Sequence, residues 1–133
     1  MENDISRAVN ALPGLVWTAL PNGQIDFLND RWCEYTGLRL DEGCGNGWQT
    51  AIHPDDLPQL VDRWRSILSS GEPGEMEARL RRFDGVYRYF LMSTNPMRDE
   101  AGEVLKWYGV NTDIEDRTRA EEALRLRASR VSM

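Results

Sequence analysis

The sequence predicts an α+β fold built on an antiparallel sheet. Three observations predict it. Two short strand-like segments near the start are joined by the turn signal Pro21-Asn22-Gly23. Three longer strand-like segments between residues 75 and 114 are separated by Asp84-Gly85 and by the run Arg98 to Gly102. Between the two groups lies one amphipathic helical segment, whose apolar stripe needs a sheet face to cover.

In chain order, residues 1–12 fit a short helix with Ile5, Ala8, Val9 and Leu12 on one stripe, ended by Pro13-Gly14. Leu15 to Leu20 and Gln24 to Leu28 read as a hairpin. Asn29 or Asp30 caps a helix that runs through Tyr35 and stops at Gly37. Residues 38–53 read as irregular, broken by Gly43, Gly45 and Gly47. The main helix is expected from about Asp56 to Leu68, capped by Asp55 or Asp56, with Pro58 in its first turn. Its stripe is Leu57, Leu60, Val61, Trp64, Ile67 and Leu68. In the next strand Met76, Ala78 and Leu80 alternate with charged residues, giving one wet face. Val86 to Asn95 follows as a strand closed by Pro96, and Val104 to Ile114 as the last. Both alternating sets of residues 86–95 hold large apolar side chains, so the inward face stays open. Glu115 to Arg127, rich in Ala, Leu, Glu and Arg, reads as a helix leaving the sheet.

A chain of 133 residues can bury a core without disulfides or metal. The divisions expected are a flanking helix (1–13), one domain (14–114) and an exit helix (115–133). A net charge of −6 argues against a nucleic-acid surface. The stretch Arg117 to Arg130 runs the other way, with five Arg against two Glu, and reads as a solvated helix. No apolar run approaches the roughly 20 residues of a membrane span. The start, Met1 to Asp4, lacks the basic-then-apolar pattern of a signal peptide, and the chain is read as cytoplasmic.

The chemistry is sparse. His53 is alone and stands before Pro54, so it reads as structural. Cys33 and Cys44 lack zinc-site spacing. No nucleophile elbow is present, and Gly43 to Gly47 lacks the Lys-Ser/Thr of a phosphate loop. No catalytic residue, no metal site and no enzyme activity are therefore expected. Five Trp among many other rings fill a core or line a small-molecule pocket. Ser93, Thr94, Asn95, Asn111 and Thr112 are available as its polar groups.

Several ordered segments then match a known family. They are Gly14 to Trp17, Asn22-Gly23, Phe27 to Asn29, Trp32 with Tyr35 to Gly37, and His53 to Asp56. Arg79 to Tyr89, Pro96 to Glu103, Gly109 to Ile114 and Arg117 to Leu124 complete the set. Over about residues 12–125 the chain resembles a PAS sensory domain with its trailing PAC segment, of the bacterial signal-transduction kind.

The resemblance implies a five-stranded antiparallel sheet with helices over one face and a cleft between them. The ligand-cleft candidates are Trp17, Tyr35, Trp48, Met76, Phe90, Met92, Tyr108 and Asn111. It also implies that the last strand meets the exit helix at a strand-end Asp-Ile-Thr. Here that reads Asp113-Ile114-Glu115, with Thr replaced. Asp113, Ile114 and Arg117 are the signal-transmission candidates, with Arg117 as charge partner of Asp113 or Asp113 as a helix cap.

The cofactor is unknown. Flavin is disfavoured because Gly43 to Gln49 does not match the reactive-Cys motif of the flavin branch. Haem is disfavoured because residues 54–70 hold no His. The expected role is a cytoplasmic sensory or relay module, most simply of a histidine kinase. Its expected partners are a second copy of itself and a downstream effector such as a kinase, with a small-molecule ligand, no nucleic acid and no membrane insertion. Ile114, Arg117, Glu121, Leu124, Ala128 and Val131 form a weak heptad seam for such a dimer. Two rivals are a ligand-free dimerisation module, its cleft filled by Met76, Leu80, Phe90, Met92 and Tyr108, and a thiol redox sensor using Cys33 or Cys44.

Overall fold

The structure, a computed structural model, describes residues 14–131. The expected N-terminal helix lies outside the described residues. The elements are β1 (Leu15–Ala19), β2 (Ile25–Leu28), α1 (Asp30–Thr36), α2 (Leu40–Gly43), a 3₁₀ turn (Gly47–Ala51), α3 (Leu57–Ser70), β3 (Gly74–Arg81), β4 (Tyr87–Arg98), β5 (Val104–Asp113) and α4 (Glu115–Val131). The five strands form one antiparallel sheet in the order β2-β1-β5-β4-β3. The first and last strands in sequence are thus neighbours at its centre.

The local chemistry accounts for most boundaries. Asn29 is fully buried and caps α1, its Oδ1 accepting from Trp32 N–H at 3.0 Å and from Val16 N–H at 3.1 Å. Its Nδ2 donates to the Gly14 carbonyl, so one amide fastens the helix to the start of β1. Gly37 closes α1 in the left-handed region at φ 76°. On α3 the expected stripe is the buried one, with Leu60, Trp64 and Ile67 facing the sheet.

Three expectations are corrected. Residues 38–53 are not irregular; they hold α2 and the 3₁₀ turn. These single turns are too short for a periodic signal, and α2 is held by Glu42, whose carboxylate accepts from Arg39 N–H at 2.9 Å. Asp56 precedes α3 but does not cap it with its side chain. Its carboxylate is taken by Arg79 instead. Finally, β4 continues through Pro96, which pairs with Trp107. The first residue of β3, Gly74, pairs with Thr94, so β4 is an edge beyond that point and tolerates a residue without N–H.

The core lies between the sheet and the helices. Its members include Trp17, Trp32, Trp64, Leu80, Phe90 and Trp107. On β4 the inward set is Phe90, Met92 and Thr94, all buried, which settles the face that the sequence leaves open.

Candidate functional site

A small cavity of about 40 Å³ lies between the sheet and α3. Five of the expected cleft residues line it: Trp17, Trp48, Met76, Met92 and Asn111. They come from β1, the 3₁₀ turn, β3, β4 and β5. Trp32 of α1 and Leu60 and Trp64 of α3 complete the helical side. The sequence places Leu60 in the packing stripe alone, and Trp64 both there and among the rings available to a pocket. Their i, i+4 spacing was the available signal, since the stripe that seats α3 on the sheet is also the cavity wall.

The rings hold one another edge to face. Trp64 stands between Trp17 and Trp107, with centroids 5.4 and 5.7 Å apart and planes at 86° and 78°. Trp17 Nε1 donates to Asn111 Oδ1 at 3.0 Å, and Trp64 Nε1 to the Gly23 carbonyl at 3.3 Å. Trp48 Nε1 is buried with no hydrogen-bond partner among the described residues.

The other three cleft candidates stand elsewhere. Tyr35 and Phe90 meet edge to face, centroids 5.2 Å apart. Tyr35 donates to the Leu80 carbonyl, and burial pushes its hydroxyl up to about 12, so it stays protonated. Tyr108 lies on the opposite face of β5 from Trp107 and Gly109, is only half-buried, and does not reach the cavity.

A volume of about 40 Å³ is far below the roughly 300–1,000 Å³ of pockets for drug-sized ligands. The residues present do not fit a flavin: the cavity is too small for its ring system, and Cys44 does not line it. Cys33 and Cys44 are free, and burial raises both thiols above their ordinary value. His53 Nδ1 accepts from Asp55 N–H at 3.1 Å and its ring rests 4.6 Å from that of Tyr87. Among the described residues no cluster of His, Cys, Asp or Glu could hold a metal ion, and no helix is long and apolar enough to cross a membrane.

The exit junction is a second polar site. Tyr89 on β4 offers both backbone groups to it: its carbonyl accepts from Ile114 N–H at 2.8 Å, and its N–H donates to Glu115 Oε2 at 2.7 Å. Glu115 is buried, at 8 % exposure, and takes the place that the resemblance gives to Thr. Ile114 is buried at 8 %. Asp113 Oδ1 accepts from Glu115 N–H at 2.9 Å, as a capping residue does.

The partner of Asp113 is Arg88 on the neighbouring strand, at 2.5 Å, and not Arg117. Arg117 lies one helical turn beyond and faces Glu77 and Glu121, each at 3.6 Å. Pairing across adjacent strands brings Arg88 to Asp113, a proximity that sequence spacing does not reveal.

A family model described as the PAS fold matches residues 25–111. The chain is 40% identical over 113 residues to an uncharacterized protein of Sinorhizobium fredii, covering 85% of this chain and 14% of that one. It is 40% identical over 117 residues to the peroxide stress-activated histidine kinase mak1 of Schizosaccharomyces pombe, covering 87% of this chain and 7% of the kinase. The chain thus spans a small part of the relatives that it matches, and these are not confined to bacteria. Among solved structures, an RNA-binding light-oxygen-voltage receptor aligns over 94% of this chain and 36% of its own, at 22% identity and TM-score 0.80. A sensory box histidine kinase/response regulator from Burkholderia thailandensis aligns over 98% of both chains at 24% identity and TM-score 0.67. With its sheet order, helical cover and internal cavity in place, this chain belongs to the PAS-fold family, as a sensor domain homologous to those of histidine kinases.

Proposed function

We propose that residues 14–114 are the sensory module of a longer signalling protein, a histidine kinase, and that α4 carries its output. The observation that carries this reading is the spacing along β4 and β5. Met92 pairs with Asn111, and both line the cavity. The next pair on the same face is Phe90 with Asp113, at the junction. Two residues of strand, about 7 Å, therefore separate cavity from exit helix. A ligand that spreads the cavity wall displaces Met92 and Asn111, and the strands pass this to Tyr89, Ile114 and Glu115. The ligand shifts a population between two junction geometries in proportion to its differential affinity for them. A second copy of the chain gives α4 a partner, since Leu124 is 64 % exposed and Leu126 51 %. The protein acts in the cytoplasm, as a regulator of a kinase and without chemistry of its own.

Met92→Trp, which fills the cavity, tests the coupling by amide hydrogen exchange. The expected result is altered protection at Tyr89 and Ile114 with the sheet centre unchanged. Unaltered exchange at both amides would remove the coupling and leave a dimerisation module.

A further inference from the structure

Next to the apolar cavity lies a second, polar hollow of about 280 Å³. Asn22 and Gln24 of the first turn, Asn46 and Gln49 around the 3₁₀ turn, and Arg65 of α3 line it. It shares two walls with the inner cavity, the rings of Trp48 and Trp64. An apolar chamber and an amide-rich chamber thus adjoin across two indoles, and one of those indoles, Trp48, carries the buried N–H with no partner. A buried donor left unpaired is unfavourable, so the site favours an occupant that brings an acceptor there.

The charge of that occupant follows from the groove. Its one formally charged lining residue is Arg65, in a chain of net charge −6. Arg65 is exposed and has no ion-pair partner among the described residues. No carboxylate lines the groove to attract a cation.

We propose that cavity and groove together bind a small amphipathic carboxylate. The apolar tail enters the inner chamber against Leu60, Ile52 and Met92 and spreads its walls, since about 40 Å³ is less than such a tail fills. The carboxylate stays in the groove facing the Arg65 guanidinium, and the Trp48 ring, shared by both chambers, turns its buried Nε1–H toward it. This arrangement buries the tail and leaves the charge near water, so the desolvation cost of a fully buried anion does not arise. It rests on the sensory reading above and adds the ligand's chemical class.

The test is a titration of the full chain, labelled with ¹⁵N, with hexanoate and separately with 1-hexanol, followed on the five indole N–H signals. Trp48→Phe assigns the Trp48 signal. Hexanoate is expected to move the Trp48 proton downfield in a saturable manner. Arg65→Gln, at an exposed site, is expected to weaken hexanoate roughly tenfold while changing 1-hexanol by less than about twofold, because only the anion gains a charge-assisted contact. If hexanoate binds wild type and Arg65→Gln equally, or leaves the Trp48 proton unmoved while 1-hexanol binds, the carboxylate assignment is overturned and the sensory cavity stands. If neither compound binds at millimolar concentration, both the assignment and the ligand-sensing reading are overturned.

Discussion

A Cβ on Gly109 would overlap Cζ2, Cε2 and Nε1 of Trp17, its partner across β1 and β5. Gly109 is therefore the floor on which the Trp17 ring lies. From there Trp17 reaches Asn111 and forms one wall of the cavity. Glycine weakens a strand interior in general, and here the close approach of the ring compensates.

Gly109→Ala is expected to displace the Trp17 ring and lose its bond to Asn111. Overpacking of this kind costs about 1–3 kcal/mol. Chemical denaturation followed by tryptophan fluorescence checks it; an unchanged midpoint would mean that the ring relocates freely.

Glu115→Ala is expected to leave the half-buried Tyr89 N–H without this acceptor. The cost is about 1–3 kcal/mol, with faster exchange of the Tyr89 amide. Glu115→Gln keeps an acceptor oxygen and is expected to retain most of that protection. Equal exchange in the Ala variant and wild type would show that this bond does not hold the junction.

Asp56 accepts from the Arg79 backbone at 2.8 Å and from its guanidinium at 3.0 and 2.9 Å. The bonds from Arg79 outweigh burial and hold its carboxyl below the ordinary value. A depressed carboxylate adds stability that is complete above the unfolded value, near 4, and is lost as pH falls through the lower folded value. Asp56→Asn is therefore expected to be less stable at neutral pH and to lose less on acidification than wild type. Thermal melts at about pH 6 and about pH 3 measure the difference; parallel losses in both proteins would contradict it.

The thiols of Cys33 and Cys44 are raised by burial first, with nearby acidic groups adding to it. From an ordinary value of 9.0, fewer than about one in a hundred is thiolate at pH 7. Alkylation by iodoacetamide is expected to be slow at pH 7 and to accelerate beyond pH 9. Rapid labelling of either residue at pH 7 would revive peroxide sensing through a thiol.

The sequence by itself determined the element order, the antiparallel sheet and the helical cover. These follow from local rules: alternation in Met76, Ala78 and Leu80, the 3–4 spacing of Leu60, Trp64 and Ile67, and the turn glycines. It also pointed to Asp113 and Ile114 as the junction. Tertiary structure decided what depends on neighbours distant in sequence. Strand register brought Arg88, 25 residues away, to Asp113, and made Tyr89 the seat of Glu115. The packing of α3 against the sheet chose the inward face of β4 and kept Trp48 in the cavity wall while leaving Tyr108 outside. Periodicity states that a face is buried; only register and packing state against what.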